Sequence, residues 1–334
     1  TLDRSSAASD VYKRQSQDVV KMLYEHQSEY ISGQYIANQL NISRAAVKKV
    51  IDQLKADGCD IDSINHKGHK LNASPNRWYR GIINKVLESN HLVSKIEVYD
   101  SVESTQTIAK QSLVDNQYTM LILSDEQTKG RGRFNRNWSS SKGKGLWMSV
   151  VLRPNVSFAM IPKFNLFIAL GIRDAIQAFS KDKVEIKWPN DIYINDKKVC
   201  GFLTEMVANA DAVEAIICGI GINLNHQEED FSDIIRHRAT SIRLHYSEEI
   251  NRYQFLKRLI EEIEKRYHQF LNSSFETIRD EYIRTSNIWH RKLTFTESGE
   301  QFIGEAIDID NDGFLIVKDE DNQMRRLISA DIDI

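Results

Sequence analysis

The stretch "QTKGRGRFNRNW" (residues 127–138) alternates two glycines with Arg131 and Arg133, adds Arg136 and ends on Trp138. Glycines let a backbone approach a ligand closely. Guanidinium groups are permanently charged, forked donors for carboxylate or phosphate, and an indole can stack on a flat ring. Gly/Arg-rich runs also occur as RNA-binding tails and as plain solvated loops. This one lies between the apolar runs "TMLILS" and "GLWMSVVL". Such a setting fits a functional lid inside a compact domain better than a tail or linker.

Three more stretches carry suitable residues. In "ESTQ" (residues 103–106), Ser104 and Thr105 open a helix whose free N–H groups could bind a carbonyl or an anion; the alternative is an ordinary Ser/Thr cap. In "IKWPNDIYINDKKVCG" (residues 186–201), Pro189 and Asn190 make a sharp turn that leaves Asp191 at the mouth of a strand. After the next turn, Asn195-Asp196, a strand beginning at Lys197 and Lys198 can aim an ammonium into a pocket; the alternative is a surface hairpin with solvated lysines. In "CGIGINLN" (residues 218–225), Gly219 and Gly221 within a buried strand imply that something packs against bare backbone. This is not a dinucleotide fingerprint, because the third glycine and the following helix are missing.

Together the four stretches offer arginines, lysines, one isolated carboxylate, hydroxyls and glycine walls. They offer no Ser-His-Asp set, no GxxxxGK[ST] loop and no His/Cys cluster, so no protein-borne metal site is expected. Fixed cations without a protein nucleophile suit phosphoryl or adenylyl transfer, where catalysis is positioning and charge neutralisation.

The elements that must position these groups can be read from periodicity and punctuation. A chain of 334 residues, 41% hydrophobic and 27% charged, supports two or three soluble domains. A net charge of −3 gives no general attraction to nucleic acid, so any DNA contact needs a local patch. Three scattered cysteines argue against a disulfide framework and fit a reducing cytoplasm. No apolar run approaches a membrane span and no signal peptide is expected. Residues 1–15 show no apolar periodicity and are read as a cloning or sequencing scar, with the chain proper starting near Ser16.

Residues 16–72 read as three helices and a hairpin. The helices are capped by Ser16, Ser32 and Ser43, and the third ends at Gly58. Asn41-Ile42-Ser43 forms the tight turn of a helix-turn-helix, and a β-wing turns at His66-Lys67-Gly68. Val47, Val50 and Leu54 share one face of the third helix beside a stripe of Arg44, Lys48 and Lys55. Three cations alone fit a solvated face; the turn, the wing and the order of elements favour a recognition helix. Residues 77–286 mix strands and helices without strict alternation, which favours an α+β sheet domain. Residues 287–334 hold short strands between Ser-Gly, Asn-Asp-Gly and Asp-Asn turns and suit a small five-stranded barrel.

With "STQ" at Ser104, "EQTKGRGR" at Glu126, "KWPNDIYI" at Lys187, "KKVCG" at Lys197 and "GIGIN" at Gly219, the chain resembles the biotin–protein ligase family. With "SRAAVKK" at Ser43 in front, it is similar to the bifunctional bacterial enzymes that are both biotin ligase and biotin operon repressor. The resemblance implies a winged helix-turn-helix, a central mixed-sheet ligase domain of the biotin/lipoate ligase type, and an SH3-like C-terminal barrel. It implies that biotin sits among Ser104, Thr105, Gln127, Arg131, Gly201, Gly219 and Gly221, with Lys198 on its carboxylate and on the α-phosphate of ATP. Arg131, Arg133 and Arg136 then hold phosphates, Lys187 assists, Trp138 packs on adenine, and Asn223 and Arg238 complete the nucleotide pocket. Asp191 is expected to help deprotonate the acceptor lysine. Ser43, Arg44, Lys48, Lys49 and Lys55 are expected on DNA.

The implied substrates are biotin and ATP with its Mg2+. The implied partners are the biotin carboxyl carrier domain of acetyl-CoA or pyruvate carboxylase, operator DNA, and a second copy of the chain once the adenylate is bound. The chain departs from the common "GRGRRGR" loop at Phe134-Asn135, which lowers its cationic density. Arg325 and Arg326 match loosely as groups reaching the nucleotide from the C-terminal domain. Two other readings differ in class: a ligand-sensing DNA-binding regulator without chemistry, and a lipoyl- or octanoyl-transferring relative.

Overall fold

A computed structural model describes residues 2–27, 29–114, 117–208, 213–246, 248–297 and 299–333, with the side chains of residues 2–13 and 333 outside the description. The N-terminal unit comprises α1 (Leu2–Glu25), α2 (Gly33–Leu40), α3 (Arg44–Ala56) and the hairpin β1 (Ile61–Ile64) and β2 (Gly68–Leu71). Ser32 and Ser43 cap α2 and α3 by accepting from the N–H groups of Tyr35 and Ala46 at 3.0 and 3.1 Å. Asn41 takes the left-handed conformation between the two helices, and Gly58 follows α3 at φ +92. Ser16, expected as a cap, instead lies inside α1. No Pro or Gly interrupts residues 2–25, and a mid-helix serine costs too little to stop a helix.

The central unit runs through α4 (Arg80–Val86), β3 (Lys95–Tyr99), α5 (Thr105–Ser112), β4 (Met120–Ser124), β5 (Gly145–Leu152) and α6 (Ile161–Gln177). It continues with β6 (Val184–Lys187), β7 (Asp191–Ile194), β8 (Lys197–Ala208), β9 (Val213–Asn223), α7 (Arg243–Tyr246), α8 (Arg252–Asn272) and α9 (Glu276–Thr285). Among the described residues, its strands form one seven-stranded sheet in the order β3-β4-β5-β9-β8-β7-β6, parallel only between β3 and β4. The run "VEIKWPNDIYIN" is thus two strands, broken at the Pro189-Asn190 turn. The C-terminal strands β10 (Lys292–Glu297), β11 (Glu300–Ile309), β12 (Leu315–Asp319), β13 (Met324–Leu327) and β14 (Asp331–Asp333) form a five-stranded antiparallel sheet.

Strand alternation decides which face of the central sheet becomes core and which becomes site. On β9, Ile216, Cys218, Ile220 and Ile222 point into the main core, as do Leu146, Met148 and Val150 on β5. The opposite face starts with a small cluster under α5 that includes Ile217, Val151 and Ala109. Beyond Ile217 the same face of β9 carries Gly219, Gly221 and Asn223, so cover by large side chains stops there. Gly221 pairs directly with Gly201 of β8, which doubles the bare patch.

One buried ion pair ties elements of the central unit together. Asp125, just after β4, accepts from Arg252 Nη1 at 2.9 Å and from the Trp78 N–H at 3.2 Å. Both charged residues are almost fully buried, and burial outweighs the guanidinium to leave the Asp125 carboxyl above its ordinary value. Arg252→Met would leave that carboxylate without its counter-charge, so a loss of about 3–5 kcal/mol is expected in urea unfolding at pH 7. A folded pKa raised above the unfolded one costs stability fully only above the folded value. The deficit of the variant relative to the parent is therefore expected to shrink as pH falls towards the ordinary aspartate range.

Candidate active site

A cavity of about 700 Å³ opens over the glycine face. Its floor is Gly201, Gly219 and Gly221, and its walls come from the start of α5, the 127–138 loop, the turn before β7 and the 226–239 segment. The C-terminal unit closes one side through Ala330 to Ile332.

The floor must be glycine because side chains press on it. A Cβ on Gly221 would lie 2.5 Å from Trp138 Nε1, and one on Gly201 would lie 3.1 Å from the same ring and from Lys198 Cε. A Cβ on Gly219 would collide with the Gln106 carboxamide. Trp138, expected on an adenine, thus lies across the glycine pair in this structure. Its Nε1 is buried and has no hydrogen-bond partner, so a donor waits in the cavity.

The 127–138 loop is a short hydrogen-bonded hairpin. Trp138 N–H donates to Gly130 O at 2.9 Å and Gly132 N–H to Arg136 O at 2.8 Å. Gln127 fixes its base: its Oε1 accepts from the Thr105 N–H at 2.9 Å, and its Nε2 donates to Ser140 Oγ at 2.9 Å. Gln127 therefore does the capping expected of Ser104, whose own side chain makes no cap bond. Ser104 and Thr105 are both buried at the cavity edge.

The three loop arginines, Lys187 and Lys198 each have an internal partner. Arg131 donates to Thr107 Oγ1 at 2.9 Å. Arg133 donates to Asn190 Oδ1 at 3.1 Å, to Ala330 O at 3.3 Å and to Ser329 Oγ, while Arg136 pairs with Asp331. Burial holds the Arg133 guanidinium below its ordinary value against the pull of Asp331 and Asp191. Lys198 Nζ lies 2.7 Å from Asp191 Oδ1 and 5.3 Å from the Trp138 ring centroid, and Lys187 Nζ donates to Tyr193 Oη at 3.2 Å.

At the other end, Asn223 donates to Thr240 O at 3.0 Å, and the backbone carbonyl of Arg238 accepts from the Lys198 N–H at 2.8 Å. His226 stacks on Phe231 at 5.2 Å, and burial pushes its imidazole down to about 4, so it is neutral at pH 7.

All the ligand-site residues expected from sequence line this one cavity. Arg325 and Arg326 do not: they bind Asp319, Asp310 and Asp312 within their own sheet. Sequence reasoning missed Gln106, His226, Phe231 and residues 330–332. Gln106 alone had a signal, as the last residue of "STQ". The recognition-helix residues stand apart on the exposed face of α3, with Val47, Val50 and Leu54 buried behind them.

Three family models match in this order: the HTH domain over residues 15–70, the Biotin/lipoate A/B protein ligase family over 98–223, and the Biotin protein ligase C terminal domain over 293–334. Fold and site thus define a protein ligase of the biotin/lipoate class carrying a helix-turn-helix. The chain is 34% identical over 323 residues to the bifunctional ligase/repressor BirA of Bacillus subtilis (strain 168), covering 95% of this chain and 98% of that one. The Bacillus spizizenii protein of the same name matches to the same extent. In fold, the chain is similar to the biotin protein ligase from Aquifex aeolicus solved with biotin and ATP, with a TM-score of 0.63 at 24% identity over 72% of this chain and 99% of that one. The chain belongs to the bifunctional ligase/repressor family.

Gly221→Ala is expected to expel the Trp138 indole and to cost about 1–3 kcal/mol of stability, as overpacking does. The readout is tryptophan emission: a red shift against the parent, which disappears when both proteins also carry Trp138→Phe.

Proposed function

We infer that the chain is an ATP-dependent biotin–protein ligase that also acts as a biotin-responsive transcriptional repressor. The single observation that carries the ligase reading is the Lys198–Asp191 pair set over paired glycines and ringed by Arg131, Arg133 and Arg136. In the first half-reaction a biotin carboxylate oxygen attacks the α-phosphorus of ATP, and the bond to the β-phosphate breaks. Biotinyl-5′-AMP and pyrophosphate result, with Mg2+ arriving on the nucleotide. The bare strands suit a compact fused ring, because beyond backbone only the Trp138 indole, the Gln106 carboxamide and the Lys198 side chain border its approach.

The Lys198 ammonium is suited to bridge the carboxylate and the α-phosphate, offsetting charge as pyrophosphate leaves. Arg131, Arg133 and Arg136 are assigned to the phosphates, with Lys187 assisting. Asn223, Arg238 and Trp138 are assigned to the nucleoside; for Trp138 this requires the indole to leave the glycines. In the second half-reaction a carrier lysine amine attacks the acyl carbon, an amide forms, and AMP and a proton leave. Asp191, released from Lys198 once that ammonium engages the ligand, is assigned to take the proton. The hairpin over the cavity excludes water from the mixed anhydride.

The acceptor is a carboxyl carrier protein and the second ligand is operator DNA. We assign the carrier to acetyl-CoA or pyruvate carboxylase and the site of action to the cytoplasm; no helix among the described residues is long and apolar enough to cross a membrane. Ser43, Arg44, Lys48, Lys49 and Lys55 are assigned to DNA. A homodimer formed by the adenylate-bound chain would place two winged helices on a palindromic operator.

Lys198→Ala is expected to slow biotin transfer to a carrier domain by about 10²–10³-fold, the usual effect of removing a charge-stabilising group. Unchanged transfer would remove Lys198 from the chemistry. For the repressor function, a gel shift with operator DNA selected from a random pool should tighten when biotin and ATP are both present. Equal affinity with and without them would refute the coupling. Lys48→Ala should lower the salt dependence of that binding by about one phosphate contact.

A further inference from the structure

Phe134 is 65% exposed, in a loop where it contributes nothing to the core. It and Asn135 both take left-handed backbone conformations, φ +53 and +56, which turn the chain between Arg133 and Arg136. Both guanidinium groups lie over the phenyl ring, with Arg133 Cζ 4.9 Å and Arg136 Cζ 5.7 Å from its centroid. An aromatic ring attracts such cations, and a shared contact limits the rotamers that two long side chains on a loop would otherwise explore. The same two arginines are the ones held to the C-terminal unit, through Asn190, Ser329, Ala330 and Asp331.

We propose that Phe134 is a positioning residue for nucleotide binding, a shared aromatic contact that holds Arg133 and Arg136 in place along the cavity wall. A third arginine at this position would add charge but would repel its neighbours; the neutral ring orders two cations without a third. The proposal rests on the reading that Arg133 and Arg136 hold the phosphates of ATP.

The test uses the full chain in a biotin-dependent pyrophosphate-release assay, comparing the parent with Phe134→Leu, Phe134→Tyr and Arg133→Ala. Phe134→Leu keeps the apolar bulk and removes the ring. It is expected to raise KM for ATP roughly three- to tenfold, the size of one or two exposed cation–π contacts. KM for biotin and the thermal midpoint should stay at parental values, and Phe134→Tyr should restore KM for ATP to within about twofold. Parental KM for ATP in Phe134→Leu, with a raised value in Arg133→Ala, overturns the role of the ring and leaves the arginine assignment standing. Parental values in both overturn the arginine assignment and the proposal with it. A tyrosine variant as impaired as the leucine variant also overturns it, since the effect would then be one of shape rather than of the aromatic face.

Discussion

The structure depends on two strands approaching without side chains between them and the cavity. Gly201 and Gly221 face each other across the β8–β9 ladder, and Gly219 extends the gap by one pleat. A Cβ at Gly221 or Gly219 would meet an indole or a carboxamide. Everything else in the site is arranged relative to that floor. Trp138 covers it, Gln106 borders it, and Lys198 reaches over it from the same strand as Gly201. The opposite faces of those strands are filled by Cys200, Phe202, Ile220 and Ile222, so the floor is held rigid from below while it is empty above.

Above the floor, electrostatics is the second constraint. Six cations, Arg131, Arg133, Arg136, Lys187, Lys198 and Arg238, line one cavity in a chain of net charge −3, and like charges in a shared site repel. The fold contains the first five with internal acceptors: Thr107, Asn190, Asp331, Tyr193 and Asp191. Several of these are neutral oxygens, which a phosphate outcompetes because charge-assisted bonds are stronger. Asp191 and Asp331 are different, since a ligand must displace a carboxylate or share the cation with it. Exchange of partners on ligand entry would therefore link the hairpin and β7 of the central unit to the C-terminal segment.

Much of this was legible in the sequence, and the failures have physical causes. The helix-turn-helix was readable because capping serines and a left-handed Asn41 are local signals, decided within four residues. The glycine floor was readable because glycine in a buried strand has few other uses. Ser16 misled because a serine can cap a helix or sit quietly within one, and only a breaker upstream would have distinguished the two. The helices α4 and α9 start without a side-chain cap and α7 spans only four residues, so no local punctuation marks them in the sequence. Residues 330–332 contribute the Ala330 carbonyl and the Asp331 carboxylate, one carboxylate in a strand far along the chain, so nothing local marked them. Arg325 and Arg326 looked suitable by charge, but their own sheet supplies aspartates that hold both. Trp138 shows a further limit. Its residue type announces stacking, yet only the fold reveals that bare backbone is what it covers.

The central claim is that this glycine-floored, cation-ringed cavity activates biotin as an adenylate. It is tested most directly by ATP–pyrophosphate exchange catalysed by the purified full chain with biotin or lipoate as the only carboxylic acid. Exchange with biotin at micromolar concentrations (on the order of the usual range for enzyme substrates), and only background with lipoate, is the predicted result. Exchange supported by lipoate and not by biotin, or by neither, would contradict it.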